Sequence, residues 1–245
     1  MKIPIMKKVL LLSAFFLLAF NSVHAQWGSK KIRGNGKMVT ETRNTSDYEK
    51  IHVVGSMNVK LVSGTEGNIK VAAESNLQEY ILTEVKNGTL KISTEKGVNL
   101  QTRKDLLITV PVKSVNDISL TGSGDIWTQD QLSEERLSVS VTGSGDMVLD
   151  IQTNYLKGHV TGSGDIKIKG SSDNFECNVT GSGDFDAFDL RAKNVEARVS
   201  GSGDVMVYAS SSLKANVSGS GDIVYKGDPE KQSFKTNGSG SVSSY

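Results

Sequence analysis

The 245-residue chain holds one cysteine and three histidines. Cys177 has no partner for an intramolecular disulfide, so the fold must be held together by its own core. His24, His52 and His159 share no metal-ligand spacing, and so few bases leave no Ser-His-Asp arrangement to draw. Charge of one sign is also missing: 28 Lys and Arg stand against 27 Asp and Glu, a formal charge of +1. No concentrated basic face is therefore expected, which argues against nucleic acid as a partner. The only long apolar run is Val9 to Phe20, shorter than the ~20 residues a helix needs to span a bilayer. An integral membrane protein is not expected.

That run has the flanks of a secretory signal peptide at residues 1–25. Lys2, Lys7 and Lys8 form the basic start, and Val23-His24-Ala25 makes a small-residue cleavage site before Gln26. An uncleaved anchor is the alternative. No cysteine stands directly after the run, so a lipid-anchored form is not expected. Losing the three lysines leaves 25 basic against 27 acidic residues, a charge of −2. The chain is read as exported, to the periplasm, the cell surface or the exterior.

What dominates the rest is repetition. Gly-Ser-Gly-Asp begins at Gly122, Gly143, Gly162, Gly181, Gly201 and Gly219, and a worn Gly-Ser-Gly-Ser begins at Gly238. The spacings of 21, 19, 19, 20, 18 and 19 mark a repeat in which one unit cannot bury its own face. Leucine-rich repeats have that length, but their leucine frame is absent. The local pattern alternates as strands do: Phe175, Cys177, Val179, then Gly181, Gly183, Phe185, all of one parity.

One face thus carries Val-x-Gly-x-Gly-x-Ile, and the other carries Thr or Ser, Ser and Asp. Glycine where a bulky residue is expected means a bend or a backbone approach too close for a Cβ. The pairs Gly122 and Gly124, Gly143 and Gly145, Gly162 and Gly164, Gly181 and Gly183, Gly201 and Gly203, and Gly219 and Gly221 are read as structural corners. Stacked coils then pair like strands in parallel at ~4.8 Å, so seven corners rise about 29 Å. The expected fold is all-β: a right-handed, single-stranded parallel β-helix with about 19–20 residues per coil in residues 113–245. A left-handed hexapeptide solenoid would need a regular six-residue aliphatic repeat, which is not found.

Residues 26–112 are expected to add longer, irregular coils to the same stack. Val53 to Leu61 aligns with Val141 to Leu149, with Met57 at the second glycine and Asn58 at the aspartate. Asn87-Gly88 reads as a hairpin turn. Asn76 and Glu79 ahead of Ile81 suggest a short capped helix. A turn at Ser133–Arg136 would account for the longest spacing. The end at Val242 to Tyr245 looks poorly covered, an edge for solvent, a partner or a second copy.

Four features taken together (the leader, Tyr48-x-x-Ile51-x-Val53-x-Gly55 through Leu61, Asn87-Gly88-Thr89-Leu90-Lys91-Ile92, and the serial corners) resemble the putative auto-transporter adhesin family with the head GIN domain. The resemblance spans about residues 38 to 242. It implies a right-handed parallel β-helix exported to the periplasm or cell surface, and it brings no catalytic residues.

The column Asp125, Asp146, Asp165, Asp184, Asp204 and Asp222 places carboxylates ~4.8 Å apart, where each pair repels by about 0.9 kcal/mol in water. Hydrogen bonds from backbone N–H groups at each corner are the preferred compensation. A calcium ladder is the alternative metal site. No cofactor is expected. A polysaccharide lyase or hydrolase is the enzyme alternative, but a glycosidase needs two carboxylates in unlike environments and these are alike. Off the motif, Glu176, Asp186, Asp189, Arg191, Glu196 and Arg198 cluster in sequence and are read as a solvated face. Cys177 is read as core filler.

Thr121, Thr142, Thr161, Thr180, Ser200 and Ser218 form one outward hydroxyl column, and Ser123, Ser144, Ser163, Ser182, Ser202 and Ser220 a second. Such arrays suit sugars or, in other solenoids, ice, and Trp127, Tyr155 and Tyr208 offer stacking rings. The functional expectation is an exported non-enzymatic scaffold, adhesin-like or carbohydrate-binding, with glycans or surface components as partners.

Overall fold

The computed structural model describes residues 29–245; the leader expected at residues 1–25 lies outside them. Parallel strands stack into a β-solenoid of about seven turns. Its regular part consists of the strands Leu132–Gly143, Met147–Gly162, Ile166–Gly181, Phe185–Gly201 and Val205–Gly219, each pairing in parallel with the next. Residues one repeat apart therefore lie side by side. Val141, Val160, Val179, Val199 and Val217 form one buried interior column, and Ile126, Met147, Ile166, Phe185, Val205 and Ile223 another. Each such side chain contributes ~1.5–3 kcal/mol on burial. A filled interior of this kind is what stands in for disulfides here.

Each coil has a second bend, where inward alternation slips by one residue. Ile151 and Thr153 are buried, and the next buried residue is Leu156. The Thr153 hydroxyl donates to the Tyr155 carbonyl at 3.2 Å, and Ser172 donates to Asn174 at 2.9 Å, closing equivalent turns.

Strands from before and after residue 113 share one 17-stranded sheet, but not in chain order. Lys50–Gly55 pairs on one side with Thr89–Thr94 and on the other with Asp117–Gly122. Likewise Asn58–Ser63 lies between Leu107–Val112 and Ile126–Thr128. The chain thus lays the coil of residues 50–63 first, passes beneath it with residues 89–112, and climbs above it from residue 117. Tyr48 is buried under this junction, and its hydroxyl donates to the Pro111 carbonyl at 2.5 Å.

The base is closed by antiparallel strands. Ile81–Lys86 and Thr89–Thr94 form a hairpin whose turn residues Asn87 and Gly88 have φ of 51° and 71°, the left-handed pair that suits strand twist. Met38–Asn44 runs antiparallel to Asn68–Glu74, which runs antiparallel to Leu107–Val112. Outside this sheet, Lys30–Arg33 pairs with Val98–Gln101. Glu74 ties this small sheet to the cap. Its buried carboxylate accepts the N–H groups of Gly36 and Arg103. At the opposite end Lys231–Gly238 pairs only with Val205–Gly219 and is exposed along its whole length.

Two local expectations are corrected. Residues 76–82 hold a three-residue 3-10 turn, Gln78–Tyr80, rather than a capped helix. The Asn76 side chain is used elsewhere, accepting from Asn35 N and donating to the Arg33 carbonyl. Arg43 instead secures the turn, donating to the Gln78 and Ile81 carbonyls. Ser133–Arg136 lies in strand, in register with Gln152–Tyr155 at the second bend, and holds no insertion. Trp127 pairs with Val148 and Leu132 with Ile151. The two extra residues of the long repeat therefore lie in the bend between Thr128 and Leu132.

Candidate functional site

The corner repeats because its glycines stack backbone on backbone. Gly143 has φ of +122°, and a Cβ on it would lie 2.3 Å from the carbonyl oxygen of Gly122. A Cβ on Gly145 would lie 2.0 Å from the Gly124 oxygen. Both contacts are far inside van der Waals range, and the obstructing atoms are backbone. The first position also needs a left-handed φ that a side chain disfavours. The close approach has a purpose: the Gly122 oxygen accepts both the Ser144 and Gly145 N–H groups, at 2.9 and 3.0 Å. The same two-donor arrangement recurs from the Gly55 carbonyl up to Gly219, which accepts from Ser239 and Gly240.

The aspartates use backbone in a related way. Each Oδ1 accepts the N–H of the aspartate one coil above: Asp165 from Asp184, Asp184 from Asp204 and Asp204 from Asp222, each at 2.8 Å. The donor belongs to the neighbouring coil, where the repeat alone suggested a turn closed within one corner. Because every carboxylate meets an N–H dipole between itself and the next, the repulsion along the column is offset at its source.

This explains the worn copies at both ends. Asn58 accepts from Asp125 N at 3.2 Å, so an amide oxygen suffices at the base. Ser241 at the top donates its N–H and hydroxyl to Asp222. Met57 takes the place of a second glycine because the chain between Thr94 and Leu107 leaves the stack beneath it, and its buried side chain fills that space.

Outside these corners lie the hydroxyls. Thr121, Thr142, Thr161, Thr180, Ser200 and Ser218 stand in register and are all exposed. The serines between the glycines, from Ser123 to Ser220, are exposed as well. Among the described residues no group of three or more His, Cys, Asp or Glu is placed to hold a metal ion.

The charged residues clustered in sequence separate onto two faces. Glu176, Glu196 and Arg198 come together on the strand ahead of the corner, where Arg198 bridges both carboxylates and Lys214 Nζ meets Glu196 at 2.9 Å. The Lys214 hydrogen bond, aided by Arg198, holds the Glu196 carboxyl below its usual range against the opposing push of burial. On the strand after the corner, Asp186 pairs with Lys167 at 2.8 Å, Asp189 stands in register with Lys169, and Arg191 stacks on Tyr208 at 4.3 Å. Tyr155 joins the first group, its hydroxyl 3.1 Å from Glu176. His52 pairs with Asp117 at 3.0 Å, and burial pushes the His159 imidazole pKa down. Cys177 is fully enclosed, and burial pushes its thiol well above the ordinary range.

One ladder escaped the sequence reading. Asn194 donates from its amide to Asn174 Oδ1 at 3.2 Å and accepts from the Ser212 hydroxyl at 2.8 Å, and Asn174 reaches the Asn154 carbonyl. Its signal was present: Asn174 and Asn194 recur at the period of the glycines.

No curated protein matches the chain. Among solved structures it is similar to a putative adhesin from Bacteroides fragilis, with TM-score 0.82 and 27% identity over 87% of this chain and all of that one. It is also similar to a putative lipid binding protein from Parabacteroides distasonis, with TM-score 0.74 and 32% identity over 88% of this chain and all of that one. A putative adhesin from Parabacteroides merdae shares the fold at TM-score 0.71, with 20% identity over 88% and 99% of the two chains. Residues 47–229 match the family model described as putative auto-transporter adhesin, head GIN domain. With the coil of residues 50–63 and all six Gly-Ser-Gly-Asp corners inside that span, the chain belongs to this family.

Proposed function

We propose that the protein is exported and acts as a non-enzymatic scaffold at the cell envelope, presenting a regular hydroxyl-lined ridge to glycans or other surface components. The observation that carries this reading is the exposed Thr/Ser columns held in register coil after coil, above carboxylates already engaged by backbone. Parallel hydroxyls at ~4.8 Å intervals suit a repeating polar partner better than a single small molecule. The adhesin description of the family and of the Bacteroides fragilis relative supports a surface role.

A polysaccharide lyase or hydrolase is the competing class. Its general acid would need a carboxyl held above the ordinary range, and Glu196 is displaced the other way. One relative is named a lipid binding protein. Burying an acyl chain would need an apolar cavity, whereas this interior is packed with Val, Ile, Leu and Phe side chains.

A glycan array probed with residues 26–245, run beside a reducing-sugar release assay, tests the reading. Binding without turnover is expected. Turnover that disappears on removing one carboxylate would replace the scaffold with an enzyme. Export is tested by N-terminal sequencing of the secreted protein, which should begin at Gln26.

A further inference from the structure

A trough of about 330 Å³ runs over the second bend of four successive coils, at the far end of the strand face that carries the threonine column. One rim is a register column, Tyr155, Asn174, Asn194 and Ser212. The other is Glu176, Glu196 and Lys214, also in register. Phe175 and Val195, each 3% exposed, form the floor. Three coil steps make the trough about 14 Å long, parallel to the stack axis.

Its polar groups are fixed before any ligand arrives. Asn194 holds Asn174 and is held by Ser212. Tyr155 is tied to Glu176, with the Arg136 guanidinium 5.5 Å from its ring. The two carboxylates are paired with Arg198 and Lys214, so neither is left free to attract a cation. It therefore combines an aromatic ring, two side-chain amides on successive coils, and paired charges, at a coil spacing of ~4.8 Å close to the ring-to-ring repeat of an extended polysaccharide. Preorganised polar groups of this kind lower the cost of ordering a ligand.

We infer that this trough is a binding site for an extended, uncharged oligosaccharide lying along the stack, with successive sugar rings facing successive coils. The inference rests on the reading of the protein as a glycan-facing module, and it moves the main contact from the ridge to the trough. Tyr155 supplies a stacking surface, and Asn174, Asn194 and Ser212 supply alternating donors and acceptors to ring hydroxyls.

The test is calorimetric titration of the exported protein with cellohexaose, xylohexaose, mannohexaose, chitohexaose and hexagalacturonate. Tyr155→Ala and Asn194→Ala are compared with the ridge variant Thr161→Lys, and circular dichroism checks that each variant is folded. At least one uncharged hexamer is expected to bind, about ten-fold more weakly to each trough variant and with a smaller loss in Thr161→Lys, because the ridge is not its main contact. The bound hexamer should also shift the side-chain amide NMR signals of Asn174 and Asn194, which a merely structural Asn ladder would leave in place. Binding lost in Thr161→Lys and kept in the trough variants overturns the trough while sparing the glycan-facing reading. Preference for hexagalacturonate, or no binding by any hexamer, also overturns it, and the wider glycan array then judges that reading separately.

Discussion

The ring of Phe185 occupies the space that a side chain at Gly158 would need: a Cβ there would lie 2.3 Å from Phe185 Cε2. Gly158 sits among Val139, Cys177, Ala197 and Ala215 in an interior column of small residues, and Phe185 lies in a column of large ones. Volume lost at one position is recovered at another, so the cross-section stays constant while individual residues vary. Gly158→Ala is expected to cost ~1–3 kcal/mol by overpacking. Phe185→Leu should remove most of that penalty, giving a favourable coupling in a double-mutant cycle followed by urea unfolding. Strictly additive effects would show that the two residues do not share space.

Asp165 sits mid-ladder, accepting from Asp184 and donating its own N–H to Asp146 at 3.0 Å. Asp165→Ala leaves the Asp184 N–H without its acceptor and should cost about 1 kcal/mol. Asp165→Asn keeps an acceptor, as Asn58 does at the base, and relieves repulsion from two neighbours. It should fall within ~0.5 kcal/mol of the parent. Equal stability of the alanine and asparagine variants in denaturant titrations would refute the ladder.

Gly145→Ala places a methyl 2.0 Å from a backbone oxygen that cannot move without separating two coils. A loss above ~3 kcal/mol, or failure to fold, is expected. Gly36→Ala is the control, with φ of +79° and nothing within 4 Å, so only backbone strain of about 1 kcal/mol applies. Similar melting temperatures for the two variants would remove close stacking as the reason for the repeat.

The Arg103 N–H, helped by those of Gly36 and Lys104, holds the Glu74 carboxyl below its ordinary value of 4.5, against the upward push of burial. A lowered folded-state pKa means that stabilisation is complete above the unfolded value and is lost as pH falls through the lower, folded one. Hydrogen exchange at the Gly36 and Arg103 amides should therefore stay slow at neutral pH and accelerate only below about pH 4.5. Glu74→Gln should speed it already at pH 7. Exchange independent of pH, after correction for intrinsic rates, would detach Glu74 from this role.

With each Asp Oδ1 accepting an N–H, the repulsion along the column is already offset without a cation. The melting temperature is expected to be the same in EDTA and in added calcium. A rise with calcium that vanishes in Asp165→Ala would restore the calcium ladder as a site.

Much of the upper solenoid was legible because its signal is local and repeated. The alternation through Phe175, Cys177 and Val179 and the glycine pair after it specify which face is inward without reference to any distant residue. The base was harder to read. Nothing around Asn76 reveals that its side chain is claimed by Asn35 and Arg33, some 40 positions earlier, and the absence of that cap leaves only a 3-10 turn. Arg136 and its neighbours resemble turn residues until pairing with Tyr155 draws them into strand.

From the amino-acid order alone come the period, the inward face, the corner glycines and the outward hydroxyl and carboxylate columns, because each depends on side-chain parity and backbone conformation within one coil. Only the tertiary structure decides that residues 89–112 pass beneath residues 50–63, that each aspartate serves the coil above it, and that Tyr155, Glu176, Asn194 and Lys214 line one trough. Those relationships join residues 18 or more positions apart across neighbouring coils, and stacking distance, rather than any local preference, brings them into contact.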